Sequence, residues 1–216
     1  MSKINSWRWF FYSTGLVILA FGLILNSRSG LGISPILSVS YTISQIAGIC
    51  FADITCLWYL CIVVFEIIVH RNRKEMVFND VLQIPVSILF TRIMHVFSLW
   101  IPQSSGNVWM LLFAILCTGI GAAMSLDMRI VANPGDGIVQ TLSDATGKSI
   151  GFVKNGFDIF CCVCSVIMGI LWTGHVKGIG LGTILCMIGV GRCVACFNTL
   201  CLKPMSRKEQ LEYERQ

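Results

Sequence analysis

Two arginines sit where lipid would be expected. Arg92 falls near the middle of the apolar stretch 81–101, and Arg192 near the middle of 179–202. An ionisable side chain at the bilayer centre costs about 2.5–3.5 kcal/mol even on the lenient insertion scale, so each needs a compensating role. They occupy nearly equivalent places in the two halves of the chain, one residue off strict register. Two guanidinium forks meeting at one depth would clamp an anionic group; the plainer role is an ion pair or a contact with helix-end carbonyls. Asp158, one to two turns into 152–172, is a carboxylate that neutralises an arginine or carries a proton. Glu66 offers the same chemistry toward the end of 54–69, yet it lies close enough to the basic stretch Arg71-Asn72-Arg73-Lys74 to snorkel outward. His95 stands one turn beyond Arg92 on the same helical face, placed either to relay a proton or to hydrogen-bond a neighbouring helix.

A second set of polar residues marks helix starts. Ser34-Pro35 and Asn133-Pro134 each put a capping side chain before a proline at the first helical position. Asp136 follows at the third helical position, where a carboxylate satisfies free amides and suits the helix dipole. Should that start open into a cavity, Asn133, Asp136 and the amides around Gly135 would line it, as half-helix ends do in broken-helix transporters. Asp136 then favours a cation or proton over a bare anion. Gly178, Gly180, Gly182, Gly189 and Gly191 are spaced for close helix approach or for a permeation path.

No serine–histidine–aspartate set, HExxH, P-loop or dinucleotide fingerprint is present in the sequence. The expectation is therefore no catalytic residue, no cofactor, no metal centre and no enzyme. The eleven cysteines lie mostly in apolar runs, where thiols behave as small hydrophobes, and the Cys193–Cys196 pair lacks a second pair or a nearby histidine.

The elements that must hold these groups are helices in lipid. With 55% hydrophobic and only 12% charged residues in 216, and a mean hydropathy of +0.76, too few charges exist to coat a soluble domain. The net charge of +5 is spread over short loops and forms no patch for nucleic acid. Six apolar stretches approach or exceed spanning length: 7–25, 54–69, 81–101, 108–126, 152–172 and 179–202. The first resembles a signal peptide but runs on with no cleavage site, and is read as an uncleaved span. Trp7, Trp9, Trp100, Trp109 and Trp172 sit near stretch ends, suited to the headgroup region. Two shorter stretches, 34–47 and 134–146, have the length of re-entrant half-helices.

An offset of 99 positions pairs Gly22 with Gly121, Pro35 with Pro134, Thr42 with Thr141, Ser44 with Ser143 and Gly48 with Gly147. The expected fold is thus all-α, a polytopic membrane bundle of six spans plus two half-helices, built as an inverted internal repeat. It forms one transmembrane domain over 1–203, with repeats at about 7–101 and 108–202, and a short charged tail over 204–216. Parity supports inversion, since a half-helix that does not cross leaves three crossings per unit. A cytoplasmic N-terminus then gathers Lys3, Arg8, Arg71, Arg73, Lys74, Arg129, Lys148, Lys154, Lys203, Arg207, Lys208 and Arg215 inside, leaving only Arg28 and Lys177 outside.

The stretch Asn133-Pro134-Gly135-Asp136-Gly137, with Gly147-Lys148-Ser149-Ile150-Gly151, Gly178-Ile179-Gly180-Leu181-Gly182-Thr183 and Gly30-Leu31-Gly32-Ile33-Ser34-Pro35, resembles the YczE/YitT-like family of bacterial membrane proteins. The likeness runs from about 7 to 202. It implies a multi-span protein of the bacterial inner membrane, and where some members of the wider family carry a soluble C-terminal domain, this sequence has a short charged tail. The leading functional expectation is a small permease for a small solute or ion, in contact with the lipid bilayer, with Arg92, Arg192, Asp136, Asp158, Asn133 and His95 along its pathway. The alternatives are a non-transporting accessory protein that binds a partner complex, and an intramembrane enzyme built on Asp158, Asp136 and His95. The sequence names neither the solute nor the oligomeric state.

Overall fold

The computed structural model describes residues 6–128 and 130–202. All regular structure among them is helical: α1 (Ser6–Arg28), α2 (Pro35–Ala47), α3 (Phe51–His70), α4 (Lys74–Trp100), α5 (Val108–Asp127), α6 (Pro134–Thr146), α7 (Ile150–Thr173) and α8 (Leu181–Phe197), extended by a π-helical turn over Asn198–Leu202. The expected tail at 204–216, Lys3 and Arg129 lie outside the described residues.

Six helices are long and apolar enough to cross a membrane, namely α1, α3, α4, α5, α7 and α8 with its continuation to Leu200. The two 13-residue helices α2 and α6 are about 20 Å long at 1.5 Å per residue, short of a hydrocarbon core of about 30 Å. Leu99, Trp100, Trp109, Leu171, Trp172 and Leu181 stand out from the bundle surface, as lipid-facing side chains do. Inside, α1 and α5 cross at the centre; α4 packs on α1 and α8 on α5.

Glycine sets the depth of that central crossing. A side chain at Gly22 would strike the backbone of Thr118 at 2.6 Å, and one at Gly121 would strike the backbone of Leu19. The four residues form two pairs at the same offset of 99, so the contact is repeated in both directions.

The helix ends define two faces of the bundle. One carries the α3–α4 turn and the start of α7, with Arg8 donating to the Met128 carbonyl at 2.7 Å; it is the basic end. At the other, the glycine end, loops 29–34 and 174–180 are stitched by Ile33 N–H to Gly178 carbonyl and Gly182 N–H to Leu31 carbonyl, both 2.8 Å.

α2 follows α7. Ser38 donates to the Cys161 carbonyl at 3.2 Å, and a turn later Thr42 and Ser165 share a 2.6 Å hydrogen bond. Because α7 runs toward the glycine end, α2 does too. α6 follows α3 toward the basic end, Gly135 lying beside Tyr59 and Gly137 beside Glu66. Both short helices therefore start in the interior and leave in opposite directions. Their C-termini match closely: Gly48 and Gly147 both have φ +67°, and Ser44 and Ser143 each donate to a carbonyl five residues on at 2.6 Å.

Two expectations need correction. α4 opens at Lys74 rather than at 81, because polar Asp80 and Gln83 are buried against α3 and α6 and need no apolar run to enter the helix. Neither Ser34 nor Asn133 caps its helix through its side chain. The prolines that follow hold both residues extended, at φ −54°, ψ 134° and φ −66°, ψ 137°. Their carbonyls bind the first turns instead, Asn133 accepting from Asp136 N–H at 2.8 Å and from Gly137 N–H at 2.9 Å.

Candidate functional site

The two half-helices meet head to head. Loop 128–133 enters from the basic end along α1, where Tyr12 donates its hydroxyl to the Val131 carbonyl at 3.0 Å. From the glycine end, Asn26 near the close of α1 accepts the Ser34 amide at 2.6 Å and so fixes the entry into α2. At the junction, Gly135 leaves just enough room for Ile36, whose Cδ1 lies 2.9 Å from where a Cβ would stand. The Trp58 indole donates to the Ile36 carbonyl at 3.2 Å, and the Tyr59 hydroxyl, fully buried, lies beside Asn133 and Asp136. Asn133 is buried and its Oδ1 accepts no hydrogen bond. First-turn amides of both helices, a side-chain amide and a phenol thus converge on one level, with the positive ends of two helix dipoles.

Toward the basic end the junction continues as a polar ladder. Glu66, completely buried, accepts from Gln83 Nε2 at 2.6 Å, and both side chains rest on the bare backbone of Gly137. One turn further, His70 Nδ1 and Asp80 Oδ2 pair at 2.8 Å. Asp80, Gln83, Ser87 and Thr91 are all buried on a single face of α4. Beside α6, Asp158 is buried and pairs with Lys154 Nζ at 3.6 Å, within electrostatic reach of partly buried Asp136.

The glycine end is built differently. A polar cavity of about 180 Å³ lies there among Ser27, Gly32, Tyr41, Gly178 and Gly180. An apolar groove of about 520 Å³ opens between α3, α6 and α7, lined by Trp58, Phe65, Ile138, Leu142, Phe157 and Phe160.

Of the residues expected along a pathway, Asn133, Asp136 and Asp158 are brought to the junction and its basic side. Arg92, His95 and Arg192 are not. Arg92 pairs with Asp53 on the outside of the bundle, both about half exposed, and His95 Nδ1 meets Cys50 Sγ at 3.1 Å. Arg192 is exposed on α8 and Arg92 is turned outward to Asp53, so the expected arginine clamp is not formed. The reason is facing: Arg92, Arg192 and Gly191, the position in strict register with Arg92, all lie on outward faces of their helices. Glu66 does not snorkel, since Gln83 reaches it from α4 and holds it inside. Tyr59, Gln83, Asn26 and the His70–Asp80 pair carry the site without having been singled out. An asparagine near the end of an apolar run and a glutamine in the first turns of α4 were the available signals.

The cysteines from Cys50 to Cys196 are free thiols, and no group of three or more His, Cys, Asp or Glu able to hold a metal ion occurs among the described residues.

A model for a family of unknown function, DUF6198, matches residues 6–199, spanning both half-helices and all six long helices. The chain belongs to this family. It is also 30% identical over 190 residues to "Uncharacterized membrane protein YczE" of Bacillus subtilis (strain 168), covering 85% of this chain and 82% of that protein. No solved structure matches. The family is thus the YczE-like one to which the glycine-rich motifs pointed, and the chain is an integral membrane protein of polytopic helical build.

Proposed function

We propose that this DUF6198 member is two inverted copies of one four-helix unit, α1–α4 and α5–α8, and that it works as a small permease for a small polar solute or ion. The observation that carries the reading is the head-to-head meeting of α2 and α6. Irregular backbone at membrane depth is tolerated only where protein or a water-filled cavity shelters it, and half-helix ends at midplane are where broken-helix transporters hold their cargo. The paired glycines at the α1–α5 crossing, the matched Gly48 and Gly147 turns and the opposed directions of α2 and α6 support the inversion. The polar cavity at the glycine end and the buried ladder at the basic end supply two approaches to the junction. The positive-inside rule puts the basic end, with both termini, in the cytoplasm of a bacterium. Nothing in this reading calls for a catalytic group or a cofactor.

The test is flux into liposomes holding purified protein, measured for a panel of small anions, cations and neutral polar solutes. Asn133→Leu and Tyr59→Phe, which strip the junction of polar groups, should cut flux for whichever solute moves. Folded protein that moves none of the panel above empty liposomes defeats the reading. Cysteines placed at Arg71 and at Gly106 should label from opposite sides, and labelling from one side only would end the topology.

A second reading has its own support. Arg192 projects from an uncovered face of α8, mid-span, with no hydrogen bond or ion pair among the described residues. A lone guanidinium in lipid is costly and would be relieved by a carboxylate on another membrane helix, as in an accessory protein that binds a complex. Co-purification of a membrane partner that is lost in Arg192→Leu would favour this reading over the first.

A further inference from the structure

We propose that Glu66 and Gln83, seated against Gly137 of α6, form a proton-binding site; the inference deepens the permease reading, in which that proton is the coupling ion. The carboxyl group has no surface exposure, and no lysine, arginine or histidine among the described residues lies within ion-pair distance of it. An ionised carboxylate so placed would bear a desolvation penalty with no cation to offset it.

The hydrogen bonding is half complete in a telling way. Gln83 Nε2 donates to Glu66 Oε2 at 2.6 Å, while Glu66 Oε1 and Gln83 Oε1 are both buried without a donor. Those two oxygens lie 2.9 and 3.0 Å from one point beside Gly137, where any other residue would place its Cβ. Both are buried acceptors beside the same point, and neither has a donor. A proton on Glu66 Oε1 turns that oxygen into a donor toward Gln83 Oε1 and closes a cyclic acid–amide pair with every polar atom satisfied. A hard divalent cation fits poorly, since it takes six or more oxygens and only two are on offer.

A second titratable pair stands beside the site, toward the basic end. On α3, Glu66 and His70 are one turn apart and share a buried face with Tyr59. His70 is bound through Nδ1 to Asp80, and its Nε2 is buried and unpartnered, free to pass a proton inward. From α4 the titratable group acting on the pair is Asp80; on α6 Asp136 lies toward Lys154 and Asp158, with Asp144 exposed further along, and α2 brings no acidic or basic residue. The proton enters from the basic end, passes through the His70 ring and rests on Glu66 Oε1, leaving the ladder one positive charge richer. Gly137 places this event directly on the backbone of the half-helix whose first turn forms the junction.

The experiment is infrared difference spectroscopy between acidic and alkaline pH on the purified full chain in nanodiscs. Wild type should show the carbonyl stretch of a buried protonated carboxylic acid. Glu66→Gln should lose that band, Gln83→Leu should shift it, and Ser165→Ala should leave it in place. A band that survives Glu66→Gln in folded protein overturns the proposal. So does a band that sodium ions abolish at constant pH, which would reassign the site to an alkali cation. If Glu66→Gln fails to fold, wild type is labelled with a hydrophobic carbodiimide and mapped by mass spectrometry. Modification of Glu66 that rises as pH falls supports the site, and an unmodified Glu66 removes it. These readouts need no solute: a band without flux defeats only the permease reading, whereas flux retained without the band defeats only the proton site.

Discussion

Glu66 and Ser165 stand 99 positions apart and do the same structural job with different chemistry. Glu66 on α3 lies against Gly137 of α6; Ser165 on α7 accepts or donates a 2.6 Å hydrogen bond with Thr42 of α2 and donates to the Ser38 carbonyl at 3.2 Å. Ser38 and Gly137 are themselves 99 apart, as are Gln83 and Gly182. The basic end thus holds a carboxylate, an amide and a histidine–aspartate pair where the glycine end holds hydroxyls and bare backbone. Backbone-shaping residues match in both halves (Pro35 and Pro134, Gly48 and Gly147, Gly22 and Gly121), as do Thr42 and Thr141 and Ser44 and Ser143, while Glu66 and Gln83 have no polar match of their own kind. The matching part shapes the backbone, and the unmatched part gives the two ends different side-chain chemistry.

The hardest blow to the shared scaffold is at the α1–α5 crossing. Gly121→Leu forces a side chain into the backbone of Leu19 and should cost about 3 kcal/mol or more, read as loss of a monodisperse peak and of a thermal transition in detergent. A variant that melts like wild type would mean the two helices are not in such close contact. The unshared chemistry comes next. Glu66→Ala leaves Gln83 buried without its acceptor and should cost about 1–3 kcal/mol, against about 1 kcal/mol for Ser165→Ala, both from thermal denaturation. Equal losses would erase the distinction between the two ends. A smaller effect sharpens the likeness: Gly48→Ala and Gly147→Ala each put a side chain at φ +67° with open space around it, so both should lose about 1 kcal/mol and agree within about 0.5 kcal/mol. Smallest of all, Arg92→Gln should leave liposome flux unchanged, since its ion pair with Asp53 is outside the bundle. A flux loss there would restore the arginine to the pathway.

Length and polarity were legible in the residues. Apolar runs give the six long helices, and proline followed by a positive-φ glycine thirteen residues on brackets both short ones. What was not legible is rotation and pairing across the chain. Arg92 and Arg192 look central because they are central along their helices, yet both lie on outward faces, which hydropathy along the chain does not register. Glu66 looks destined for the surface because the basic stretch is five residues away, while the glutamine that retains it lies seventeen positions on. Asn133 was legible as a residue at the half-helix start, but its side chain makes no capping hydrogen bond.

The missing side chain at Gly137 has a mechanical consequence. With nothing interposed, the carboxyl group sits against the backbone of α6, so under the proposed proton site a change of charge on the acid would act directly on the helix and a movement of the helix on the acid. A methyl group there would stand 2.9 Å from Glu66 Oε1 and 3.0 Å from Gln83, so it would push the pair off the helix.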